Sequence, residues 1–231
     1  SSGVPSDTLG STNGMANRPA APGTIGHRRS ASPQTMTAVM PAVGFGAASL
    51  LSYAGPEQRA EWLPRLMRGE VLAALALSEP SAGSDAAGVT TRAERTAAGW
   101  RLKGVKHWIS DAVAADFMVV VARTGERRGA LSLFLLEKGT PGVAFDPIPK
   151  LGNRCLPSFE VRLDCEVPAG ALMGREGEGM AHLASTLHVA RAGMAASVTG
   201  YAEFALGLIL EHLRTREQFG VTIGSFQALQ H

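Results

Sequence analysis

The residues best suited to chemistry lie in one short segment of small and polar side chains. Residues 76–85 read ALSEPSAGSD and continue from the apolar run Val71 to Leu77. Small side chains leave backbone N–H groups open to an anion or to a carbonyl-rich ring, and Ser78 and Ser84 add hydroxyl groups. A buried strand that ends in a turn capped by Asp85 would show the same pattern, so the spacing alone leaves a binding loop and a structural turn both open.

Further segments with aromatic, hydroxyl and basic side chains follow along the chain. They are residues 104–110 (GVKHWIS), 140–143 (TPGV), 150–152 (KLG), 167–169 (VPA) and 216–220 (REQFG), with Phe226 and Gln227 after the last of them. Together with residues 76–85, and in the same order, these segments resemble the signatures of the acyl-CoA dehydrogenase family. The resemblance extends from about residue 45 to residue 231 and implies FAD as the cofactor.

The resemblance implies a flavin site around two of these segments. The backbone near Leu77 and the Ser78 hydroxyl would contact the pyrimidine end of the flavin. Trp108 would pack on the isoalloxazine ring, Ser110 would donate a hydrogen bond near N5, and Ile109 lies between them in the same stretch. A flavin requires an apolar wall on which to stack and a few hydrogen-bond donors, which these residue types supply.

Other family roles transfer to a loop and to the helical part of the chain. Ser84 would meet the FAD pyrophosphate or the incoming thioester. Arg216, with Phe219 and Gln227 beside it, would bind the FAD pyrophosphate of a neighbouring subunit, because the fork of an arginine suits phosphate oxygens. Taken alone, Arg216 would be a solvated helix-end residue.

Two residues on a predicted helix are candidates for contact with the substrate. His188 and Arg191 are spaced i, i+3 and therefore share a helix face. They fall where the substrate-proximal residues of the family lie. A solvated polar stripe would explain His188 equally well.

The resemblance also predicts that the catalytic base is missing from the 231 residues. The family base is a Glu that usually lies downstream of the arginine segment, beyond His231, and in a subset it directly precedes the residue that corresponds to Arg191. That second position holds Ala190, which cannot accept a proton. We therefore expect a truncated fragment with no catalytic residue of its own.

The implied reaction is FAD-dependent dehydrogenation of an acyl thioester, as acyl-CoA or on a carrier protein, to the α,β-enoyl thioester. The electrons would pass to an electron-transfer flavoprotein or to oxygen, as part of fatty acid or lipid metabolism. Two alternatives remain open: a non-catalytic subunit of a heteromeric acyl-CoA dehydrogenase, and a flavin monooxygenase or oxidase on the same scaffold.

The elements that must position these residues divide the chain into four predicted parts and an α+β fold. Residues 1–34 form a disordered, low-complexity tail, and residues 35–74 are the remnant of an N-terminal helical domain. Residues 75–176 form a middle domain, an antiparallel β-barrel or sandwich that binds flavin and substrate. Residues 177–231 start a C-terminal helical bundle.

The strand and helix predictions follow from hydrophobic periodicity and turn residues. A helix opens at Pro56 and should break or kink at Pro64. One long helix should run from about Glu178 to about Arg214, and a second should begin near Ser225. The predicted strands are Val71–Leu77, Thr91–Thr96, Trp100–Lys103, Lys106–Ser110, Phe117–Ala122, Ala130–Leu136 and Phe159–Leu163.

Composition excludes some classes of partner. The net charge of +2 and the charged fraction of 18% give no reason to expect nucleic acid. The two cysteines, Cys155 and Cys165, suggest neither a disulfide framework nor a zinc site, which favours a reducing, cytoplasmic location. No apolar run long enough for a membrane span is expected. A stripe of Gly193, Gly200 and Gly207 predicts close helix packing in a homodimer or homotetramer.

Overall fold

The computed structural model describes residues 46–152 and 154–231. The predicted tail, residues 1–34, and the start of the predicted N-terminal helical remnant lie outside the described residues. Residues 46–53 are helical and are called α1 here. The other helices are α2 (Pro56–Met67), α3 (Gly179–Thr215) and α4 (Gln227–Gln230).

The strands form one large sheet and one small hairpin. They are β1 (Ala73–Ala76), β2 (Arg92–Arg95), β3 (Gly99–Ser110), β4 (Phe117–Arg123), β5 (Leu131–Glu137), β6 (Val143–Pro147), β7 (Ser158–Pro168), β8 (Leu172–Met173), β9 (Glu217–Gln218) and β10 (Val221–Thr222). The large sheet has the order β6-β7-β3-β2-β4-β5-β8, with β1 also paired to β4. Its pairs are antiparallel except β1 with β4 and a single residue pair between β2 and β4. The predicted α+β class is confirmed, although the strand order is that of an open sheet.

Strand lengths differ from the predictions where tertiary pairing decides them. The two strands expected on either side of Gly104 are one continuous strand, β3, because β7 pairs along its length. β7 itself extends to Pro168, five residues beyond the predicted end. The short strands β6 and β8 were not predicted, since an exposed edge strand and a two-residue strand carry little hydrophobic periodicity.

Pro64 does not break its helix, which contradicts one of the two outcomes predicted for it. Pro64 lies inside α2, which continues to Met67 and ends before Gly69 with its φ of 70°. Proline removes one backbone hydrogen bond in the helix interior. Both Pro64 and Ala60, whose carbonyl loses that bond, are exposed, so water can replace the donor.

Two hydrophobic cores lie on opposite faces of the sheet, and β4 contributes to both. Met118 and Val120 belong to one core with β3 and β7, whereas Val119 and Val121 belong to the other. The second core also contains the buried apolar residues of α1, α2 and the start of α3. Because side chains alternate along a strand, a strand covered on both faces is apolar throughout, which is why β4 reads as a continuous hydrophobic run.

Helix α3 packs on the sheet only at its start. Gly179, Leu183 and Thr186 are buried, while large apolar side chains further along, including Met194 and Phe204, are more than half exposed. By length and composition α3 could cross a membrane, with a mean hydropathy of 1.4 over an 18-residue window. This finding corrects the expectation that the chain has no such segment. A single helix of this kind is weak support for a membrane span, because helices of packed bundles pass the same test.

Candidate flavin site

The main chain of the segment after β1 accepts hydrogen bonds from two residues of β3. Lys106 Nζ donates a hydrogen bond of 3.1 Å to the Leu77 carbonyl, and the His107 N–H donates one of 2.8 Å to the Ser78 carbonyl. Reciprocal backbone hydrogen bonds between Glu79 and Ala82, of 2.8 and 3.2 Å, close a tight turn. The structure therefore brings Leu77 and Ser78 beside the residues that directly precede Trp108.

Strand β3 is distorted where Trp108 lies. The register with β7 shifts between Lys106 and Ile109, and Trp108 has a φ of 60°. A bulky side chain rarely adopts this left-handed conformation, so the backbone here is strained. The distortion leaves the Trp108 side chain 52% exposed, whereas Trp62 and Trp100 are buried.

The three residues after Trp108 differ in how far their side chains are exposed. The Ile109 side chain is 1% exposed and packs in the core, so only its main chain can face a ligand. Ser110, at the end of β3, is partly exposed and pairs in register with Ser158 of β7. Asp111 follows with a φ of 55°, and its N–H donates to the Pro157 carbonyl. Burial raises the pKa of the Asp111 carboxyl, although the charge of Lys150 acts in the opposite direction.

A buried ion pair lies beneath this surface. Lys106 is fully buried, Glu79 is 5% exposed, and Lys106 Nζ lies 2.8 Å from Glu79 Oε1. Burial alone would raise the pKa of the Glu79 carboxyl. The charge of Lys106 and the hydrogen bonds from Lys106, Thr90 and Thr91 outweigh burial and lower that pKa to about 2.

The pKa of the Lys106 ammonium falls to about 8, because burial outweighs the attraction of Glu79. Burial and pairing together therefore favour the charged form of the carboxylate but not that of the ammonium. The carboxylate accepts hydrogen bonds from five donors, whereas the ammonium has two acceptors, the Leu77 carbonyl and Glu79 itself. Our sequence-based predictions missed Lys106 as a site residue. A lysine at a core position of a predicted strand was the signal available.

The predicted pyrophosphate residues lie together at the far end of α3. Arg216 is the C-cap of this helix, and the β9–β10 hairpin follows it directly. The two turn residues, Phe219 and Gly220, have φ values of 55° and 77°, as a two-residue type I′ hairpin turn requires. Phe219 is 94% exposed, its ring lies 6.3 Å from that of Phe226, and Gln227 begins α4.

The remaining predicted residues are exposed and stand apart from Trp108. Ser84 lies in the turn before a 3-10 helix, residues 86–88, and His188 and Arg191 lie on α3. The Asp85 side chain makes no cap hydrogen bond and instead pairs with Arg128. Among the described residues, no hydrogen bond or ring contact joins Ser84, His188 or Arg191 to the Trp108 segment.

An apolar cavity lies next to this segment without including it. Its volume is about 360 Å³, and it is bounded by the turn at Ala112 to Ala115, the start of β4 and the end of β5. None of the predicted site residues lines it. The candidate site is therefore the exposed surface around Trp108, outside this cavity.

This surface has the features that a flavin ring requires. It combines an exposed indole held away from the core with two partly exposed serines and main-chain groups at a strand end. The chain therefore offers an aromatic wall and hydrogen-bonding groups in one place, which fits the cofactor that the signature segments imply.

Comparisons with known proteins agree with the signature segments. Residues 74–165 match the family model of the acyl-CoA dehydrogenase middle domain, and residues 177–231 match that of the acyl-CoA dehydrogenase C-terminal domain. The mitochondrial 2-methylacyl-CoA dehydrogenase of Solanum tuberosum is 36% identical over 179 residues, covering 76% of this chain and 43% of that protein.

Solved structures give the same result. Butyryl-CoA dehydrogenase from Megasphaera elsdenii matches with a TM-score of 0.81 and 32% identity, over 85% of this chain and 53% of that one. Glutaryl-CoA dehydrogenase from Mycobacterium smegmatis, in complex with FADH2, matches with a TM-score of 0.79 and 32% identity, over 85% and 50%.

The chain spans less than half the length of the curated relatives that it matches, about 43% of the Solanum tuberosum protein. The two family models lie side by side and together account for most of the described residues. The segment with Trp108 lies within the first matched region, and the hairpin with Phe219 lies within the second. The chain belongs to the acyl-CoA dehydrogenase family.

Proposed function

We propose that this chain forms part of an FAD-dependent dehydrogenase that converts an acyl thioester to the α,β-enoyl thioester. The observation that carries the proposal is the exposed, left-handed Trp108 beside the Ser78 turn. Backbone strain at a bulky residue requires a surrounding structure that imposes it, and such strain is concentrated at functional sites. When bound, FAD supplies the hydride acceptor of this reaction.

The residues of the chain would bind and orient the ring. Trp108 presents an apolar face for stacking, and the partly exposed Ser78 and Ser110 offer hydroxyl groups near it. The ties from Lys106 and His107 to the 77–78 main chain keep these groups at a constant separation. Ser84, exposed in the adjoining loop, is proposed to meet the pyrophosphate or the thioester.

Glu79, the carboxylate beneath this surface, does not suit the role of general base. A base that removes a weakly acidic α-proton needs a free carboxylate within hydrogen-bond reach of it. Glu79 is buried and fully engaged by its five donors, and its pKa of about 2 makes it a weak base. Ala190 has no proton acceptor. Neither Glu79 nor Ala190 supplies this base, and we propose that it comes from a Glu outside the 231 residues.

The helical part suggests a proposal for assembly and partners. A Cβ built at Gly200 or Gly207 would have nothing within 4 Å, so this face of α3 is open to a close neighbour. We propose a homo-oligomer, a dimer or tetramer, in which Arg216 with Phe219 and Gln227 reaches the pyrophosphate in an adjacent subunit, and His188 with Arg191 approaches the acyl thioester. An electron-transfer flavoprotein as electron acceptor, a role in lipid metabolism and a cytoplasmic location belong to the same proposal.

Titration of FAD into the chain tests the flavin part of this proposal. We expect saturable quenching of flavin fluorescence that Trp108→Ala weakens. Phe145→Ala, which removes a partly exposed aromatic ring from β6, two strands away from β3, serves as the control. Absence of saturable binding up to about 1 mM FAD, equivalent to about −4 kcal/mol, would contradict the proposal.

A further inference from the structure

The buried Glu79–Lys106 pair lies where three separate segments of the chain meet. Glu79 Oε1 accepts hydrogen bonds from Lys106 Nζ at 2.8 Å, from the Thr91 N–H at 2.9 Å and from the Thr91 hydroxyl at 2.5 Å. Glu79 Oε2 accepts two more from the N–H and hydroxyl of Thr90, at 2.7 and 2.6 Å. One carboxylate thus joins the turn after β1, the residues before β2 and the middle of β3.

The lysine of the pair continues this connection to the proposed flavin surface. Its other acceptor is the Leu77 carbonyl at 3.1 Å, and the next residue, His107, donates its N–H to the Ser78 carbonyl at 2.8 Å. Trp108 follows immediately with its φ of 60°. Two consecutive residues of β3 are therefore fastened to two consecutive carbonyls directly before the strained position.

Close packing around the pair is built into the backbone. A Cβ at Gly104 would lie 2.5 Å from the Thr91 hydroxyl and 2.7 Å from the Thr91 Cα. Only glycine therefore lets Thr91 approach closely enough to donate to Glu79. The arrangement depends on the residue types of Glu79, Lys106, Thr91 and Gly104 together. Ordinary apolar packing would not require this combination.

Stability alone does not account for a buried ion pair at this place. Removing two charges from water costs several kcal/mol per ion, and apolar residues of similar volume often stabilise a fold as well or better. Strained backbone persists only where its surroundings over-determine it. The hydrogen bonds of the pair fix the geometry of the chain next to Trp108, which an apolar pair would not do.

We propose that Glu79 and Lys106 are positioning residues that hold the Trp108–Ser110 segment against the Leu77–Ser78 main chain before the flavin binds. The role of the segment in flavin binding rests on the proposed function. The geometry that the pair maintains is a property of the chain alone and can be measured without flavin.

The test compares the wild-type chain with the double variant Glu79→Gln/Lys106→Met, which removes both charges and leaves neither one buried alone. Hydrogen exchange followed by NMR reports the amides of Thr90, Thr91 and His107, and iodide quenching reports the Trp108 indole, assigned with Trp108→Phe. We expect the Thr90 and Thr91 amides, which donate to the charged carboxylate, to exchange about tenfold faster or more. The His107 amide should exchange faster because the Leu77–Ser78 main chain is held less firmly, and Trp108 quenching should change. Amides of β4 and β5 should change much less.

A matched control separates positioning from loss of stability. Val121→Ala removes buried apolar volume from the second core, and Val121 makes none of the side-chain hydrogen bonds of the pair. Conditions are chosen so that Val121→Ala has the same unfolding midpoint as the double variant. The exchange rates of the three amides should then keep their wild-type ratios to the rates in β4 and β5, and Trp108 quenching should stay at its wild-type value. An equal acceleration of all amides in both variants would show that the pair is only structural and would overturn the proposal.

A milder change covers the case in which the double variant does not fold. Thr90→Val removes one of the five donors at an exposed residue and keeps the backbone bond. It should accelerate the same amides to a smaller extent, and unchanged exchange with unchanged Trp108 quenching would overturn the proposal. FAD titration forms a separate arm: loosened amides without any wild-type FAD binding would contradict the proposed function and leave the positioning role supported.

Discussion

The Glu79–Lys106 pair predicts a specific dependence of stability on acid. The perturbation is the double variant Glu79→Gln/Lys106→Met, followed from pH 7 down to pH 2. The pKa of Glu79 falls from 4.5 to about 2 in the folded chain. Because the folded pKa is lower than the unfolded one, the contribution to stability is complete above pH 4.5 and is lost as the pH falls towards 2.

The magnitude follows from the same pKa values. Each pKa unit corresponds to about 1.4 kcal/mol, so the fall from 4.5 to about 2 amounts to roughly 3 kcal/mol of unfolding free energy. Below pH 7, Lys106 stays protonated, since its own pKa is about 8. The wild-type chain should therefore lose up to about 3 kcal/mol more than the double variant between pH 5 and pH 2.

Urea unfolding at several pH values, monitored by the fluorescence of the buried Trp62 and Trp100, measures this difference. The control is Glu61→Gln, which removes one negative charge from the exposed side of α2. Between pH 5 and pH 2 its unfolding free energy should still fall more than that of the double variant, as for the wild-type chain. Parallel stability curves for wild type and double variant between pH 5 and pH 2 would refute the reasoning.

Three further predictions concern the site and its support. Trp108→Ala should weaken FAD binding about tenfold, the loss of a stacked aromatic contact, in the fluorescence titration described above; equal affinity would argue against stacking. Ala190→Glu should raise turnover of acyl-CoA with an artificial acceptor by about 10²-fold or more, whereas Ala190→Gln should not; no gain with flavin bound would show that position 190 is remote from the substrate. Gly104→Ala should destabilise the chain by about 2 kcal/mol or more, because its Cβ would lie 2.5 Å from the Thr91 hydroxyl. Gly83→Ala, with open space around it, is the control, and equal melting temperatures for the two would contradict the packing argument.

Much of the fold could be predicted from local pattern. The apolar runs at β1, β4 and β5 and the long uninterrupted helix α3 were recognised, because burial imposes a period on the sequence. The lengths of β3 and β7 could not be, since each is set by its partner strand. The behaviour of Pro64 depended on whether the carbonyl it leaves unpaired faces water.

The sequence by itself determined which family the chain resembles and which residues the site is predicted to contain. The types and order of the segments around Ser78, Trp108 and Arg216 were enough for that, because each residue's chemistry is a local property. The tertiary structure alone decided that Trp108 faces outward while Ile109 faces the core, through a register shift between β3 and β7.

The tertiary structure also decided that Lys106 and Glu79, which are 27 residues apart in the sequence, form a buried ion pair. The physical reason is that burial and hydrogen-bond partners are set by strands distant in the chain. The sequence around a lysine or a glutamate does not indicate which oppositely charged residue will pair with it. Its role is defined only when the sheet forms and brings that partner within 3 Å of it.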